Sequence, residues 1–341
     1  TAPPGAGRRR HAATRKFPSH PVKIARALTS IALVIALPAA ADEGQEWLDR
    51  MAGALAGTSY SGEFVSESAG RAENLRIVHR VRDGAVAERL VSLSGNGREL
   101  IRDGDEIVVY LPDQKLAIIE RRPAGSDLMG TLPQFGGEFG PWYEVSYAGR
   151  EAALLGPAAV VIVRPRDGYR FGYRLWIDEA THMPVRSELS DAASRVIERV
   201  RFTRLELDDA IADEAFEPGL DRSKLRWVRQ ASQSTGVPPA WHAAQMPPGF
   251  RLSASGLQAM AGTSSPVSHM VFSDGLASVS VFIETPARGS VPVTGSGRSG
   301  VASAFSTIVQ GHQVTVVGEV PPDTLKYIAT GLTPAAPDPG P

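Results

Sequence analysis

No cysteine occurs in the 341 residues. Its absence excludes disulfides, thiolate metal sites, thiol catalysis and a lipid anchor on a terminal cysteine. The fold must therefore rest on its hydrophobic core, which two domains' worth of chain can supply. Long apolar runs are also missing: the only candidate, residues 27–37, is too short to cross a bilayer and is closed by Pro38. Acidic residues are absent before Asp42, whereas seven Lys and Arg side chains crowd the first 26 positions. A basic stretch, a short apolar core and the small residues Ala39, Ala40 and Ala41 predict a secretory signal peptide over 1–41, cut before Asp42.

The whole chain carries 36 Lys and Arg against 37 Asp and Glu, so losing the leader leaves a net charge of −8. An acidic protein argues against nucleic acid as a partner. The charge is uneven, −10 over 42–217 and +2 over 218–341, which points to two domains.

Trp47, Leu48, Met51 and Leu55 recur at helical spacing, predicting one amphipathic helix over 43–56 that Gly57 stops. Beyond it the period becomes two. YSGEFVS, ENLRIVHRVR, AERLVSLS, RELIRD, DEIVVYLP and KLAIIER alternate between turn signals, as do AAVVIVRP, YRFGYRLWID, MPVRSELS and RVIERVRFTRLEL. This pattern predicts an antiparallel meander with one buried face. The Gly/Pro-rich stretch 122–141 reads as a long loop, available with the helix to cover the concave side of the sheet. Residues 218–240 break the pattern as a linker, and 241–332 form a smaller domain. In it WHAAQMPPGFRL reads as a strand, 269–284 as a hairpin turning at Ser273-Asp274-Gly275, and 313–318 as another strand. Asp323 caps a last helix that Gly331 ends, and 333–341 form a disordered tail.

Residues 295–300, GSGRSG, match the dinucleotide fingerprint G-x-G-x-x-G. The context refutes it, because Pro292 cannot sit in a central parallel strand and no strand–helix alternation surrounds it. A flexible loop between strands is the expectation instead. Ser273, His269 and Asp274 lie too close along one hairpin to converge as a triad, and no G-x-S-x-G elbow supports them. Ser273 and Asp274 read as turn formers, and His269 as a strand histidine with a satisfied ring. His79, His182, His242 and His312 show no metal-ligand spacing. The expectation is no catalysis, no metal and no cofactor.

What remains is surface and cavity. Leu75, Ile77 and Val81 share one strand face, and Tyr169, Phe171, Tyr173 and Leu175 another, so the curved sheet offers an apolar interior for a lipid chain or simply a core. A twelve-carbon chain buried there gains on the order of 9 kcal/mol, at about 0.8 kcal/mol per methylene. An anionic headgroup would need a basic cluster, for which Arg76, Arg80 and Arg82, or Arg164, Arg166 and Arg170, are the candidates.

The stretches WLDRMAGALAGTSYSGEFV, RIVHRVRDG, ERLVSLSGNGREL, RPRDGYRFGYRLWIDEATHMPVRSEL, MPPGFRL, HMVFSDGLASVSVFIE and GHQVTVVGEVPPDTLKYIA, in this order, resemble the RseB/MucB family of periplasmic regulators of sigma-E (AlgU). The resemblance departs in 122–141 and at Ser146–Arg150. It implies a mainly β, α+β fold: a large LolA/LolB-like unclosed antiparallel β-barrel covered by helices, with a smaller β-rich domain. It implies binding of the periplasmic part of the anti-sigma factor RseA/MucA, protection from a DegS-type site-1 protease, and release by lipopolysaccharide or its acyl chains. On this reading the hairpin residues His269, Phe272, Asp274, Val279, Val281 and Phe282 form the wall against the anti-sigma segment. The chain is not itself membrane-spanning, and its oligomeric state stays open. A periplasmic lipid or lipoprotein carrier is the alternative. Mass spectrometry of the exported chain should find a new N-terminus at Asp42; an intact Lys and Arg-rich leader on the exported chain would contradict the signal peptide.

Overall fold

The structure, a computed structural model, describes residues 39–95, 97–121, 140–229, 232–233, 241–258, 266–286, 289 and 291–335. The body of the expected signal peptide, nearly all of the 122–141 loop, parts of the expected linker and the end of the tail lie outside the described residues.

The first helix, α1 (Ala39–Gly57), extends beyond the expected 43–56 and stops at Gly57 as anticipated. Leu48 and Met51 are fully buried on it, with Trp47 and Leu55 partly so, while Gln45–Asp49 and Glu46–Arg50 contacts occupy the wet side. That apolar stripe faces a sheet made of β1 (Tyr60–Ser68), β2 (Arg71–Arg82), β3 (Ala85–Ser92), β4 (Glu99–Asp103), β5 (Glu106–Leu111) and β6 (Leu116–Arg121). It continues with β7 (Tyr143–Ala152), β8 (Pro157–Pro165), β9 (Gly172–Asp178), β10 (Pro184–Ser190), β11 (Val196–Leu207) and β12 (Arg226–Arg229).

The strand order is β12-β6-β5-β4-β3-β2-β1-β11-β10-β9-β8-β7. Two meanders thus run outward from a central, non-local pair, β1 with β11, where Tyr60 opposes Leu207. The edges β7 and β12 do not meet, so the barrel is unclosed. Register shifts at Glu63/Phe64, Tyr147/Arg150, Pro184/Arg186 and Leu189/Ser190 mark bulges, which add the bend that wraps such a sheet. Sequence alternation missed β7, whose period is broken by the bulge at Gly149, with φ +96°. The expected linker is partly built into the sheets, since β12 pairs with β6 in parallel and residues 232–233 join the second sheet.

The second sheet holds β13 (Ser232–Gln233), β15 (Arg251–Gln258), β16 (Val267–Ser273), β17 (Ser278–Glu284), β18 (Gly295–Ser299), β19 (Ala302–Val309) and β20 (His312–Gly318), in the order β13-β15-β16-β17-β20-β19-β18. A short pair, β14 (Trp241–Ala243) with β21 (Leu332–Pro334), lies apart from it. Helix α2 (Pro322–Thr330) buries Leu325, Ile328 and Ala329 against Met270, Phe272, Val279, Val281 and Ile283.

Three expectations are corrected here. The GSGRSG stretch is no loop: residues 295–299 form the edge strand β18, because backbone pairing with β19 needs no side chains and the turn falls at Gly300, φ +61°. The expected strand 241–252 is two strands in different sheets, split where Pro247 and Pro248 offer no N–H to a ladder. Asp323 makes no cap hydrogen bond; Pro321 holds the cap position, and Asp323 sits in the first turn, where its charge favours the helix dipole.

Met51→Ala should cost about 2–5 kcal/mol, as for other fully buried large side chains. Glu46→Ala on the wet side of the same helix should stay within about 0.5 kcal/mol. Urea unfolding of both variants checks the burial of α1; equal losses would contradict it.

Candidate functional site

Ladder registers carry one face of the large sheet continuously from Leu75 and Ile77 through Gly62, Leu205, Val200 and Ser187 to Leu175, with Tyr173 beside it. The two sets expected to meet a lipid therefore share a face. Leu75, Ile77, Phe171, Tyr173 and Leu175 are buried there, and Val81 is half-buried. Leu48 and Met51 of α1 pack into the same cluster as Phe171, Tyr173 and Leu175, so this half is filled core. Tyr169 departs from the expectation: the strand begins only at Gly172, and Tyr169 packs its ring 5.5 Å from Tyr327 of α2. The interior is also not wholly apolar. His79, stacked on Tyr60, meets Glu88 at 2.9 Å, and Glu88 meets Arg102 at 3.5 Å, all three buried.

The expected basic clusters are committed elsewhere. Arg76 pairs with Glu63, and Arg80 and Arg82 with Asp213. Arg164 and Arg166 are exposed, but Arg170 has no accessible surface and offers nothing to a headgroup. Sequence reasoning missed what Arg170 does. Its Nε and Nη2 donate to Asp167, its Nη2 to the carbonyl of Pro248 at 2.6 Å, and its Nη1 to Asp274 at 2.5 Å. The rings of Trp142, Tyr143 and Phe250 surround the guanidinium at 5.2–5.7 Å.

Asp274 comes from the turn between β16 and β17, so this ion pair joins the two sheets. Its Oδ1 accepts from the N–H groups of Leu276 and Ala277, and its Oδ2 also accepts from the Tyr143 hydroxyl at 3.0 Å. Burial, reinforced by the charge of Asp274, pushes the Tyr143 phenol far above its usual range, so it stays a donor. Around this point Thr324 donates to the Tyr169 carbonyl at 2.9 Å, and Val301 and Leu276 of the second sheet pack into the α1 cluster. Gly249, at φ +88°, lies so close to Trp142 that a Cβ would come within 2.2 Å of the indole. Both sheets belong to one compact unit, residues 37–341.

The remaining hairpin residues divide by face. Phe272, Val279 and Val281 point at α2 and are buried. His269 and Phe282 oppose each other on the other face, half-buried, with ring centroids 4.5 Å apart and planes nearly parallel. His269 was expected to have a satisfied ring; its Nε2 has no hydrogen-bond partner, so stacking holds it, and burial lowers its pKa and keeps it neutral at pH 7. Thr315 and Gln313 continue this face across β20. Gln313 holds Val293 by two hydrogen bonds, N–H to Oε1 at 2.9 Å and Nε2 to carbonyl at 2.7 Å. Val293, 68% exposed, is thereby tied to the edge of this face, and Val291, two residues earlier, is 88% exposed. The hairpin tip itself behaves as anticipated, with Ser273 Oγ donating to the Ala277 carbonyl and accepting from the Gly275 N–H.

Residues 43–220 match the MucB/RseB N-terminal domain, and residues 236–333 match the MucB/RseB C-terminal domain. The chain is 33% identical over 312 residues to the sigma factor AlgU regulatory protein MucB of Pseudomonas aeruginosa, covering 89% of this chain and 95% of that protein. It is 26% identical over 326 residues to the sigma-E factor regulatory protein RseB of Salmonella typhimurium, covering 90% and 96%. Among solved structures, MucB in complex with MucA(peri) superposes with a TM-score of 0.66 at 32% identity, covering 86% of this chain and 99% of that one. MucB alone superposes at 0.62 with 31% identity, covering 86% and 98%.

Replacing Arg170 by Ala leaves Asp274 buried without its counter-charge, and should cost about 3–5 kcal/mol. The double replacement Arg170→Met with Asp274→Leu should recover a substantial part of it. Calorimetric unfolding of the three chains tests this; an Arg170→Ala chain as stable as the parent would remove the pair from its central place.

Proposed function

Because the chain belongs to the MucB/RseB family, we propose that it is a regulatory binding protein that holds the periplasmic segment of a membrane anti-sigma factor of the RseA/MucA kind. The observation that carries this reading is the end-to-end match, through both domains, to a sigma factor regulatory protein at 33% identity. The solved relative bound to MucA(peri) supports the class of partner. The site of action is the periplasm, reached through the expected signal peptide; no helix among the described residues is long and apolar enough to cross a membrane.

Ordering a flexible segment costs about 2–5 kcal/mol, so the protein must offer fixed apolar surface and backbone partners. The His269–Phe282 face, with Val293 tied to its edge, supplies such surface. Phe272, Val279 and Val281 act from behind, as the core that holds the face flat. Asp274 serves by fixing the hairpin to the large domain. The bound segment is shielded from a DegS-type site-1 protease, and lipopolysaccharide or its acyl chains release it. A release ligand acts through its different affinity for the two arrangements of the protein, since equal affinity shifts nothing.

Titration calorimetry of residues 42–341 with the periplasmic segment of the same organism's anti-sigma factor, with and without lipopolysaccharide, tests the reading. Micromolar or tighter binding that lipid weakens is expected; lipid binding without any peptide binding selects the carrier alternative. Phe282→Ala should weaken the peptide by about 1–2 kcal/mol, roughly 5- to 30-fold, without altering the fold. An unchanged affinity would move the contact off this face.

A further inference from the structure

The junction contains a second charged meeting, away from Arg170. Glu198 stands near the start of β11 on the inner face of the large sheet, 7% exposed, and accepts a hydrogen bond from Ser66 Oγ at 3.3 Å. Glu319 follows β20 in the small domain, half-buried and next to Gly318, which pairs with Ser303 at the start of β19; its charge and that of Glu198 both act on the buried Tyr173. Beside them the turn between β18 and β19 enters the large domain. Val301 is buried in the α1 cluster, and a Cβ on Gly300 would lie 3.9 Å from Ser68 Oγ. The hydroxyls of Ser68 and Ser303 are buried here without hydrogen-bond partners.

Two carboxyls from two domains therefore flank one turn, Glu198 beside its ladder partner Ser68 and Glu319 beside Gly318, and among the described residues no cation acts on either. Arg199, the next residue after Glu198, points to the opposite face and binds Glu188 at 2.8 Å and Glu67 at 3.2 Å. Asp274, which reaches Tyr173 from the β16–β17 turn, is neutralised by Arg170. Arg298, on the β18 edge, is exposed. A cleft of about 370 Å³ bounded by residues 67–72 and 196–199 opens beside Glu198 and gives protons access.

We propose that this end of the junction is a proton-operated latch: Glu198 and Glu319 hold the β18–β19 turn against the large domain when protonated and drive it away when ionised. Burial pushes the Glu198 carboxyl up to about 7, with Ser66 drawing it down, and burial followed by the charge of Glu198 pushes Glu319 up to about 7 as well. Separation returns both to the ordinary glutamate range, about 4.3. The closed junction therefore binds protons more tightly than the open one. Its stability is greatest below the ordinary range, falls as the pH rises toward 7, and levels off above 7. For Glu198 alone the closing equilibrium changes on the order of a hundredfold across that window. The Arg170–Asp274 pair keeps the domains joined at the other end, so the motion is a local opening.

The latch does not depend on the identity of the partner, and its test uses no partner. The natural chain has no cysteine, so spin labels attach only where placed, at Ala193→Cys beside the start of β11 and Arg298→Cys on β18. Pulsed dipolar measurement of the label separation should give one narrow distance at pH 4.5. A longer population should grow between pH 5 and 7 and level off above 7.5. Glu198→Gln with Glu319→Gln, neutral at every pH, should keep the short distance throughout, and each single replacement should shrink the long population at pH 7.5. A label distance that ignores pH in the parent chain would overturn the latch. So would a pH response that survives in the double glutamine chain or, if the double fails to fold, one that neither single variant weakens.

Discussion

A guanidinium with no access to water is stable only if carboxylates and carbonyls replace its whole hydration shell. Arg170 meets that demand with groups from both domains: Asp167 from its own turn, Asp274 and the Pro248 carbonyl from across the junction. The requirement places the rest. Asp274 must stay at the tip of its hairpin, so β16 and β17 take their register from the same residue whose Oδ1 closes the turn. Tyr143 must stay protonated to donate, and Trp142, packed on the guanidinium, leaves room only for a glycine at 249. The two sheets are held as one unit by a polar point, with apolar insertions such as Val301 and Leu276 around it.

That arrangement separates two tasks. The Arg170 end fixes the domains, because a buried, fully bonded ion pair is costly to break. The Glu198–Glu319 end is the opposite case, two carboxyls flanking one turn beside hydroxyls without hydrogen-bond partners. A junction with one firm end and one labile end pivots more readily than it separates.

The concave face of the large domain tempers the proposed lipid response. Its residues were legible as apolar and co-facial, and the registers place them so, yet α1 fills the half nearest Tyr173 and a His79–Glu88–Arg102 cluster occupies the other. An acyl chain entering near α1 has to displace packed side chains, which makes lipid entry and helix displacement a single event in energy.

Alternation and turn residues were enough to read most of the large sheet, the α1 stripe at Leu48 and Met51, and the Ser273–Gly275 turn, because period and backbone preference are local properties. They failed where locality fails. Strand β7 lost its period to a bulge, and β18 has almost no side chains to carry a period at all. Nothing local in the sequence marked Arg170, Asp274 or Glu198 for burial. Only the folded chain brings Arg170 and Asp274, 104 positions apart, within 2.5 Å. The amino-acid order thus determined the elements, the two-domain division and the family. Burial and pairing of charges were decided by the tertiary structure, since they depend on which distant groups exclude water from one another.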